Sequence, residues 1–274
     1  MPVLPILLRA ALGLTLALGV CSGAMAEESD LRRLDTGDES RGWDAVGRLN
    51  MGQSSFCTGA LIGPNLVLTA AHCLFDSTTG ARIDADEIEF LAGWRNGRAA
   101  AYRRIKRTVT HPQYIYGGGD KLTRVSFDLA LLELDRPIRL PSIHPFETDF
   151  LPVEGAEVGV VSYAKDRAEA PSLQELCHVL NREAALLVLS CSVDFGSSGA
   201  PIFSIREGVA RVVSVVSSKA DFGGQDVALG TILQGPLQTL RASLAAEDTH
   251  FQKADPALRT IEAGAGNSAK FIKP

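Results

Sequence analysis

The sequence has only one long uninterrupted hydrophobic run, which lies near its N-terminus. Arg9 precedes the run "AALGLTLALGV", and the small residues "AMA" follow at 24–26. This order is typical of a secretory signal peptide cleaved after Ala26, and the run is too short for a membrane-spanning helix. Cys21 would permit a lipid anchor, but the bulky Val20 before it disfavours that alternative. We therefore expect an exported protein, secreted or periplasmic, without membrane contact after cleavage.

The sequence also lacks an excess of positive charge. It contains 32 Asp and Glu residues against 27 Lys and Arg residues, which gives a formal net charge of −5. This mild acidity argues against a nucleic-acid partner. With 46% hydrophobic and 22% charged residues in 274 positions, the composition is globular and sufficient for one large domain or two small ones. We expect a monomer.

No close pair of cysteines is matched by a pair of histidines, so a zinc site is disfavoured and we expect neither a metal nor another cofactor. Cys57, Cys73, Cys177 and Cys191 remain once the signal peptide is removed. In an exported protein, this even number indicates two disulfides. Spacing alone leaves all three possible pairings open.

Short apolar and β-branched runs, separated by turn residues, continue along the chain without an internal repeat. Examples are "GALIGPNLVLTAA", "FDLALLEL" and "ARVVSVVSS". The pattern predicts an all-β protein built as a barrel or a sandwich. The proline-spaced segment "RPIRLPSIHPF" indicates a connector between two groups of strands, and "LQTLRASLAA" has the periodicity of a closing helix.

Three motifs contain the residue types that nucleophilic catalysis by serine requires. Ser198 lies in "GSSGAP", His72 lies in "LTAAHC" after an apolar strand, and Asp128 opens "DLALLEL". A serine hydroxyl needs a neighbouring base to react at neutral pH, and a carboxylate that orients the base completes the set. Each residue alone would be an ordinary turn, strand-end or capping residue. The three motifs in one chain indicate a hydrolase.

These motifs, in this order, resemble the segments of the chymotrypsin-like (trypsin-like) serine peptidases that carry the histidine, the aspartate and the nucleophile. The resemblance covers residues 45 to 245. It implies two six-stranded antiparallel β-barrels with the active site in the cleft between them, and a short C-terminal helix. The expected ranges are a signal peptide at 1–26, an N-terminal segment at 27–44, an N-terminal barrel at 45–140, a C-terminal barrel with its closing helix at 141–245, and a loosely ordered tail at 246–274.

The same resemblance implies a role for each site residue. His72 would act as general base, Asp128 would hold its imidazole in the required tautomer, and Ser198 would attack the carbonyl of a polypeptide substrate. The backbone N–H groups of Gly196 and Ser198 would form the oxyanion hole. Glycine at 196 permits the backbone conformation that directs its N–H into the site.

The resemblance also selects one of the cysteine pairings. Cys57 and Cys73 match a bridged pair of the family, which leaves Cys177 and Cys191 to pair with each other. The first bridge would tether the segment that carries His72, and the second would brace the strand before the nucleophile.

Two residues depart from the family's pattern. Ser197 stands where the family usually has an aspartate that pairs with a freed N-terminal amine, and Ala200 replaces a glycine. The sequence also contains no basic residue followed by an Ile-Val-Gly-Gly start. The resemblance therefore shifts towards bacterial secreted relatives such as the glutamyl endopeptidases. We expect activity that does not depend on an ion pair from a freed N-terminus.

The substrate pocket is only weakly specified by the sequence. Six positions before the candidate nucleophile, where trypsin-like members have an acidic pocket base, the chain has Ser192, which argues against a preference for Lys or Arg. Ser214 and Ser217 both match the family's pocket serine, and we favour Ser217. The direction of the Asp194 side chain is left open. His178 has no surroundings that support a role in binding a substrate carboxylate.

The leading hypothesis is a secreted serine endopeptidase that works through an acyl-enzyme intermediate. A catalytically silent homologue that binds a protein is the alternative from another class, and Ser197 and Ala200 keep it open. An exported esterase with the same three catalytic residues is a third hypothesis. Labelling by a fluorophosphonate probe that is lost in Ser198→Ala would support an enzyme, and ester turnover without peptide cleavage would indicate the esterase.

Overall fold

A computed structural model describes residues 29–52, 55–118, 120–149, 152–183 and 185–252, with side chains described as far as residue 246. The proposed signal peptide at 1–26 lies outside the described residues. The strands are β1 Arg32–Arg33, β2 Val46–Met51, β3 Ser55–Gly63, β4 Leu66–Thr69, β5 Ile88–Ala92, β6 Ala101–Thr110, β7 Ala130–Leu134, β8 Glu157–Ser162, β9 Ser172–Glu183, β10 Leu186–Leu189, β11 Pro201–Arg206, β12 Val209–Phe222 and β13 Gln225–Ile232. The α-helices are α1 Lys121–Ser126 and α2 Pro236–Gln252.

The first barrel closes in the antiparallel order β2-β3-β4-β7-β6-β5, with β5 returning to β2. The hairpin between β3 and β4 turns at Pro64 and Asn65, where the sequence predicts it, and it pairs Ala60 with Leu68. Alternate residues of the strands fill the barrel, because successive side chains of a strand point to opposite faces. Leu49, Leu68, Phe90 and Leu131 are among its fully buried side chains.

The second barrel closes in the order β8-β9-β10-β13-β12-β11, with β11 returning to β8. Val160, Leu187, Ile202 and Val213 are buried in its core. The expected all-β fold of two six-stranded antiparallel barrels and a short C-terminal helix is thereby confirmed.

The segment ahead of the first barrel is bonded to the second barrel. Strand β1 pairs with β9, with Arg32 opposite Leu173. The Ser29 N–H donates to the Leu176 carbonyl at 3.0 Å, and the Leu34 side chain is fully buried. The N-terminal segment therefore adds an edge strand to the second barrel.

Aromatic side chains join the two barrels. Trp43, just before β2, packs edge-on against Phe203 of β11 with ring centroids 5.1 Å apart, and Phe146 of the connector contacts both rings. Leu240 of α2 is buried in the same core. The helix continues to Gln252, so the first residues of the expected tail at 246–274 are helical, and the rest lie outside the described residues. Neither described helix has the length and hydropathy that crossing a bilayer requires.

Candidate active site

A cleft of about 650 Å³ lies between the barrels, and His72, Asp128 and Ser198 all line it. The first barrel contributes Tyr114 and residues of α1, and the second contributes the segments 193–195 and 216–219. The three residues that the sequence singles out are therefore gathered at one cavity.

His72 and Asp128 form a tightly bonded pair. His72 lies in the 3₁₀ turn Ala71–Leu74, which follows β4, and Asp128 lies just before β7, the strand paired with β4. The His72 Nδ1 atom lies 2.6 Å from Asp128 Oδ2, and the backbone N–H of His72 donates to Asp128 Oδ1 at 2.8 Å. Pairing of β4 with β7 thus brings two residues 56 positions apart into two hydrogen bonds.

The surroundings of this pair shift the pKa of the His72 imidazole. The Asp128 side chain is 4% exposed and the His72 side chain is 30% exposed. Burial opposes the charged form of His72, but the negative charge of Asp128 and its hydrogen bond outweigh burial and raise the pKa of His72 above its ordinary 6.5.

One of the two candidate pocket serines reaches the pair. The Ser217 hydroxyl donates to Asp128 Oδ2 at 2.5 Å, and Ser217 lines the cleft. The Ser214 hydroxyl instead donates to the Thr231 carbonyl at 2.9 Å, inside the second barrel. The structure therefore places Ser217, and not Ser214, in the cleft.

Residues 194–200 form a tight turn, here called the nucleophile turn, that carries Ser198. Gly196 has a φ of +96°, and a Cβ at this position would collide with the Phe56 ring. Gly199 has a φ of +79°, and a Cβ there would collide with the Thr69 hydroxyl. Both the backbone conformation and the lack of space therefore require glycine at 196 and 199.

The nucleophile turn presents two free N–H groups. The N–H of Ser197 donates to the Asp194 carbonyl at 2.9 Å, and that of Gly199 donates to the Val216 carbonyl at 2.8 Å. Among the residues that the structure describes, the N–H groups of Gly196 and Ser198 have no hydrogen-bond partner. Two unpaired donors on one turn can bind a developing negative charge on an oxygen.

The two departures from the family's pattern are both buried. Ser197 is fully buried, and its hydroxyl lies within hydrogen-bonding distance of Ser162, Tyr163 and Arg167. Ala200 packs in the core of the second barrel, and its N–H donates to the Ser197 carbonyl at 2.9 Å. Neither residue blocks the cleft.

The wall of the cleft differs in one respect from the sequence-based expectation. Ser192 is exposed and is not among the residues that line the cavity, whereas Val193, Asp194 and Phe195 are. The Ser192 N–H donates to the buried amide oxygen of Gln174 at 2.7 Å, which bonds this backbone to β9. His178 lies on β9 and does not line the cavity.

The two disulfides form as the resemblance implies. Cys57 bonds with Cys73, and Cys177 bonds with Cys191. His72 and the sulfurs of Cys57 and Cys73 lie within 4.8 Å of one another, a spacing that could suit a metal ion. Because both sulfurs are in a disulfide, they are not available as thiolate ligands, and this cluster does not fit zinc.

Comparison with known proteins gives the family. The sequence profile described as Trypsin matches residues 36–227, which is most of the described chain. The chain belongs to the trypsin family. This assignment agrees with the order of the three motifs, with the two closed barrels and with the disulfide beside His72.

Two relatives of this trypsin-family chain are named as peptidases. It is 26% identical to a glutamyl endopeptidase of Bacillus licheniformis over 64% of this chain and 55% of that protein. It is 35% identical to a trypsin of Phaedon cochleariae over 38% of this chain and 36% of that protein. The chain thus spans about half of the first relative's length and less of the second's.

Solved structures share the fold. A Glu endopeptidase structure superposes with a TM-score of 0.65 at 17% identity, covering 79% of this chain and 98% of that one. A thermostable serine protease from an extremophilic microorganism gives a TM-score of 0.59 at 18% identity, covering 73% of this chain and 97% of that one. At such identities the likeness shows the fold alone.

Sequence reasoning missed two residues that brace the trypsin-family cleft. Thr58 of β3 donates its hydroxyl to the Gly196 carbonyl at 2.9 Å, and its N–H donates to the Ser198 carbonyl at 2.8 Å. Arg167 reaches the nucleophile turn from behind. A threonine in a strand and an arginine in a loop give no local signal, because their partners lie far away along the chain.

Proposed function

We propose that this chain is a serine endopeptidase that hydrolyses peptide bonds through Ser198, His72 and Asp128. The observation that carries the proposal is the bonded pair of His72 and Asp128, joined by Ser217, in a cleft that Ser198 also lines. A serine hydroxyl, and an imidazole held by a buried carboxylate in the same cleft, are the groups that acyl transfer requires.

In the proposed mechanism, the hydrogen bond between His72 and Asp128 determines which imidazole nitrogen carries the proton. Nδ1 of His72 donates to Asp128, so Nε2 carries the lone pair that accepts the hydroxyl proton of Ser198. The freed oxygen attacks the peptide carbonyl carbon, and the carbonyl electrons move onto oxygen. His72 then gives the proton to the leaving amine, which leaves an acyl-enzyme. A water molecule then gives a proton to His72 and attacks the acyl carbon. His72 returns that proton to the Ser198 oxygen as the acyl–oxygen bond breaks, which releases the acid product and the free enzyme.

We assign the oxyanion hole to the free N–H groups of Gly196 and Ser198. The carbonyl oxygen becomes negative only in the tetrahedral intermediate, so donors fixed in advance lower the barrier more than they strengthen substrate binding. Support comes from the positive φ of Gly196 and from the absence of a hydrogen-bond partner for either N–H among the described residues.

The lining of the cleft supports a preference against Lys and Arg side chains. Lys121, Arg124 and Lys219 line it, and Asp194 is the exposed carboxylate among the lining residues. The Lys219 ammonium is paired with Asp226 at 2.8 Å. Three cations against one exposed carboxylate disfavour an incoming Lys or Arg side chain more than an acidic or uncharged one. We therefore propose substrates with uncharged or acidic residues before the scissile bond.

We further propose an exported protein that needs no cleavage within residues 29–41. Two disulfides fit an oxidising compartment, secreted or periplasmic. The Ser29 N–H and hydroxyl both bond to Leu176 of β9, so removal of this segment would expose the edge of the second barrel.

A fluorophosphonate probe tests the function directly. We expect labelling of the folded protein at one site, cleavage of a diverse peptide library, and loss of both in Ser198→Ala. The uncharged Ser197 leaves a silent binding homologue as the alternative function. Folded wild-type protein that neither reacts with the probe nor cleaves any peptide would favour that alternative. Ester turnover without peptide cleavage would identify an esterase instead.

A further inference from the structure

A buried arginine lies directly behind the nucleophile turn. Arg167 ends the 3₁₀ turn Lys165–Arg167 and is only 9% exposed. Its Nη2 atom lies 3.4 Å from Ser197 Oγ and 3.5 Å from Ser162 Oγ, and both serines are buried. The guanidinium therefore points into the protein, at the residue immediately before Ser198.

The Ser197 hydroxyl is saturated by its neighbours. It accepts from the Asp194 N–H at 3.3 Å and from Arg167 Nη2. Its proton can go to the Tyr163 carbonyl at 3.3 Å or to Ser162 Oγ at 3.2 Å. Because a hydroxyl has one proton and two lone pairs, these contacts use its full capacity. Ser197 thus joins the segment 162–167 to the nucleophile turn.

A second contact ties the same two segments together. The backbone N–H of Lys165 donates to the Phe195 carbonyl at 2.7 Å. Phe195 directly precedes Gly196, whose N–H is one of the two free donors of the nucleophile turn. Segment 162–167 is therefore bonded to the turn on both sides of Gly196, at Phe195 and at Ser197.

The setting of Arg167 is unfavourable for a residue that serves stability alone. A buried cation costs free energy unless it is fully hydrogen-bonded and paired. The Arg167 Nε atom is buried and makes no hydrogen bond to the residues that the structure describes. Its acidic partner in the same part of the chain, Asp166, is exposed, with the two charged groups 3.0 Å apart. A buried guanidinium at this position is explained if its hydrogen bond fixes the Ser197 side chain.

We propose that Arg167 is a positioning residue: through Ser197 it holds the nucleophile turn so that the N–H groups of Gly196 and Ser198 face the cleft. The inference rests on the proposed function, because an oxyanion hole matters only to hydrolysis. The Arg167 guanidinium is part of the folded chain, so it can hold the turn without a new N-terminal amine released by cleavage.

The first test compares Arg167→Gln and Arg167→Lys with Lys165→Gln, which removes an exposed cation from the same 3₁₀ turn. We expect Arg167→Gln to lower kcat about 10- to 100-fold with KM changed less than about twofold, because the oxyanion forms only on the way to products. Arg167→Lys keeps part of kcat, and Lys165→Gln behaves as wild type. Rates are expressed per site labelled by the fluorophosphonate probe.

The second test places a carboxylate opposite the guanidinium. In Ser197→Asp the new carboxylate can pair with Arg167, so we expect kcat within about threefold of wild type. In the double variant with Arg167→Gln the carboxylate is buried without its partner. The double variant should therefore lose more activity than the product of the two single losses.

The outcomes separate this inference from the proposed function. If Arg167→Gln and Ser197→Ala both keep the kcat of Lys165→Gln per labelled site, Arg167 does not position the turn. The same conclusion follows if activity falls only because a smaller fraction of the protein is folded. If Arg167→Gln does not fold, the kcat values of Ser197→Ala and Ser197→Asp per labelled site, compared with that of Lys165→Gln, decide whether Arg167 positions the turn. Wild-type protein that is not labelled at Ser198 would overturn the proposed function itself.

Discussion

At the scale of single residues, the Asp128 carboxylate accepts three hydrogen bonds, two from His72 and one from Ser217, and both residues lie far from it in the sequence. Oδ1 accepts the backbone N–H of His72, and Oδ2 faces both His72 Nδ1 and the Ser217 hydroxyl. Three donors leave the carboxylate no freedom to rotate, so the imidazole it orients is held in one tautomer and one direction.

Asp128→Asn should change both the rate and its dependence on pH. The proposed base must be neutral, so wild-type activity falls as pH drops through the raised pKa of His72. An amide removes the charge and the hydrogen bond that raise this pKa, while burial, which lowers it, remains. We expect kcat to fall about 10⁴-fold and the acid limb of the kcat/KM profile to move to lower pH.

The matched control for this variant is Asp84→Asn, which changes an exposed acid away from the cleft. We expect its profile to coincide with that of the wild type. An acid limb of Asp128→Asn that stays in place or moves to higher pH would contradict the assignment of His72 as the base.

Thr58→Val should weaken the nucleophile turn while keeping the shape of the side chain. The Thr58 hydroxyl donates to the Gly196 carbonyl and accepts from the Tyr163 N–H at 3.1 Å. Each buried group left without a partner costs about 1–3 kcal/mol. We expect the free energy of unfolding in urea to fall by about 2–4 kcal/mol and kcat/KM to fall with it.

A useful comparison for this variant is Thr79→Val, since Thr79 is exposed and bonds only within its own loop. We expect a change of less than about 1 kcal/mol there. Equal stability losses in the two variants would show that the Thr58 bonds across the barrels contribute little.

The sequence predicts single residues where their signal is local. His72, Asp128 and Ser198 each stand in a short motif that resembles a segment of the chymotrypsin-like peptidases. Thr58 and Arg167 do not, because Thr58 meets Gly196 across 138 positions and Arg167 meets Ser197 across 30. Contacts of this kind follow from the folded arrangement of the strands, which no local pattern encodes.

At the scale of elements, the hairpin of β3 and β4 could be predicted, because a Gly-Pro-Asn turn between two apolar runs specifies it locally. Strand β1 could not be. Its two arginines show no alternation of apolar and polar residues, and its partner in β9 lies about 140 positions later, at Leu173 and Ser172. A strand defined only by a distant partner leaves no periodic pattern of its own.

Leu34→Ala tests whether the segment that contains β1 is part of the folded core. Leu34 is fully buried and belongs to the core that both barrels share. Removal of a large buried side chain typically costs about 2–5 kcal/mol. We expect a loss of this size in the free energy of unfolding, measured by urea denaturation.

The control for the segment is Leu140→Ala, at a leucine of the connector that is 40% exposed. Its stability should change by less than about 0.5 kcal/mol. If Leu34→Ala is equally mild, the segment contributes little to the folded core, and its packing no longer supports the proposal that no cleavage is needed there.

At the scale of the whole molecule, one cluster of buried residues joins the two barrels. The Trp43, Phe146 and Phe203 rings meet between them, and residues of both barrels and of α2 belong to one buried cluster. Separating the barrels would expose this apolar surface to water, which is unfavourable in proportion to its area.

Unfolding should therefore be a single cooperative transition in both barrels. Trp43 packs against Phe203, and Trp94 donates its Nε1–H to the Ala168 carbonyl at 3.1 Å, so both tryptophans report on contacts between the barrels and Trp43→Phe separates their fluorescence signals. We expect the urea midpoints from fluorescence and from far-UV circular dichroism to coincide, as two-state unfolding requires. A fluorescence change of Trp43 that precedes the loss of circular dichroism would show that the barrels part before they unfold.

The bond between Ser217 and Asp128 spans 89 positions, and the Thr58 and Ser198 backbones join across the same boundary. A ribosome delivers Asp128 long before it delivers Ser198, and Ser217 comes later still. A growing or truncated polypeptide therefore cannot assemble a working centre, however well its first half folds. For the proposed peptidase, this order would keep an unfinished chain inactive during synthesis, because Ser217 is added only after His72, Asp128 and Ser198.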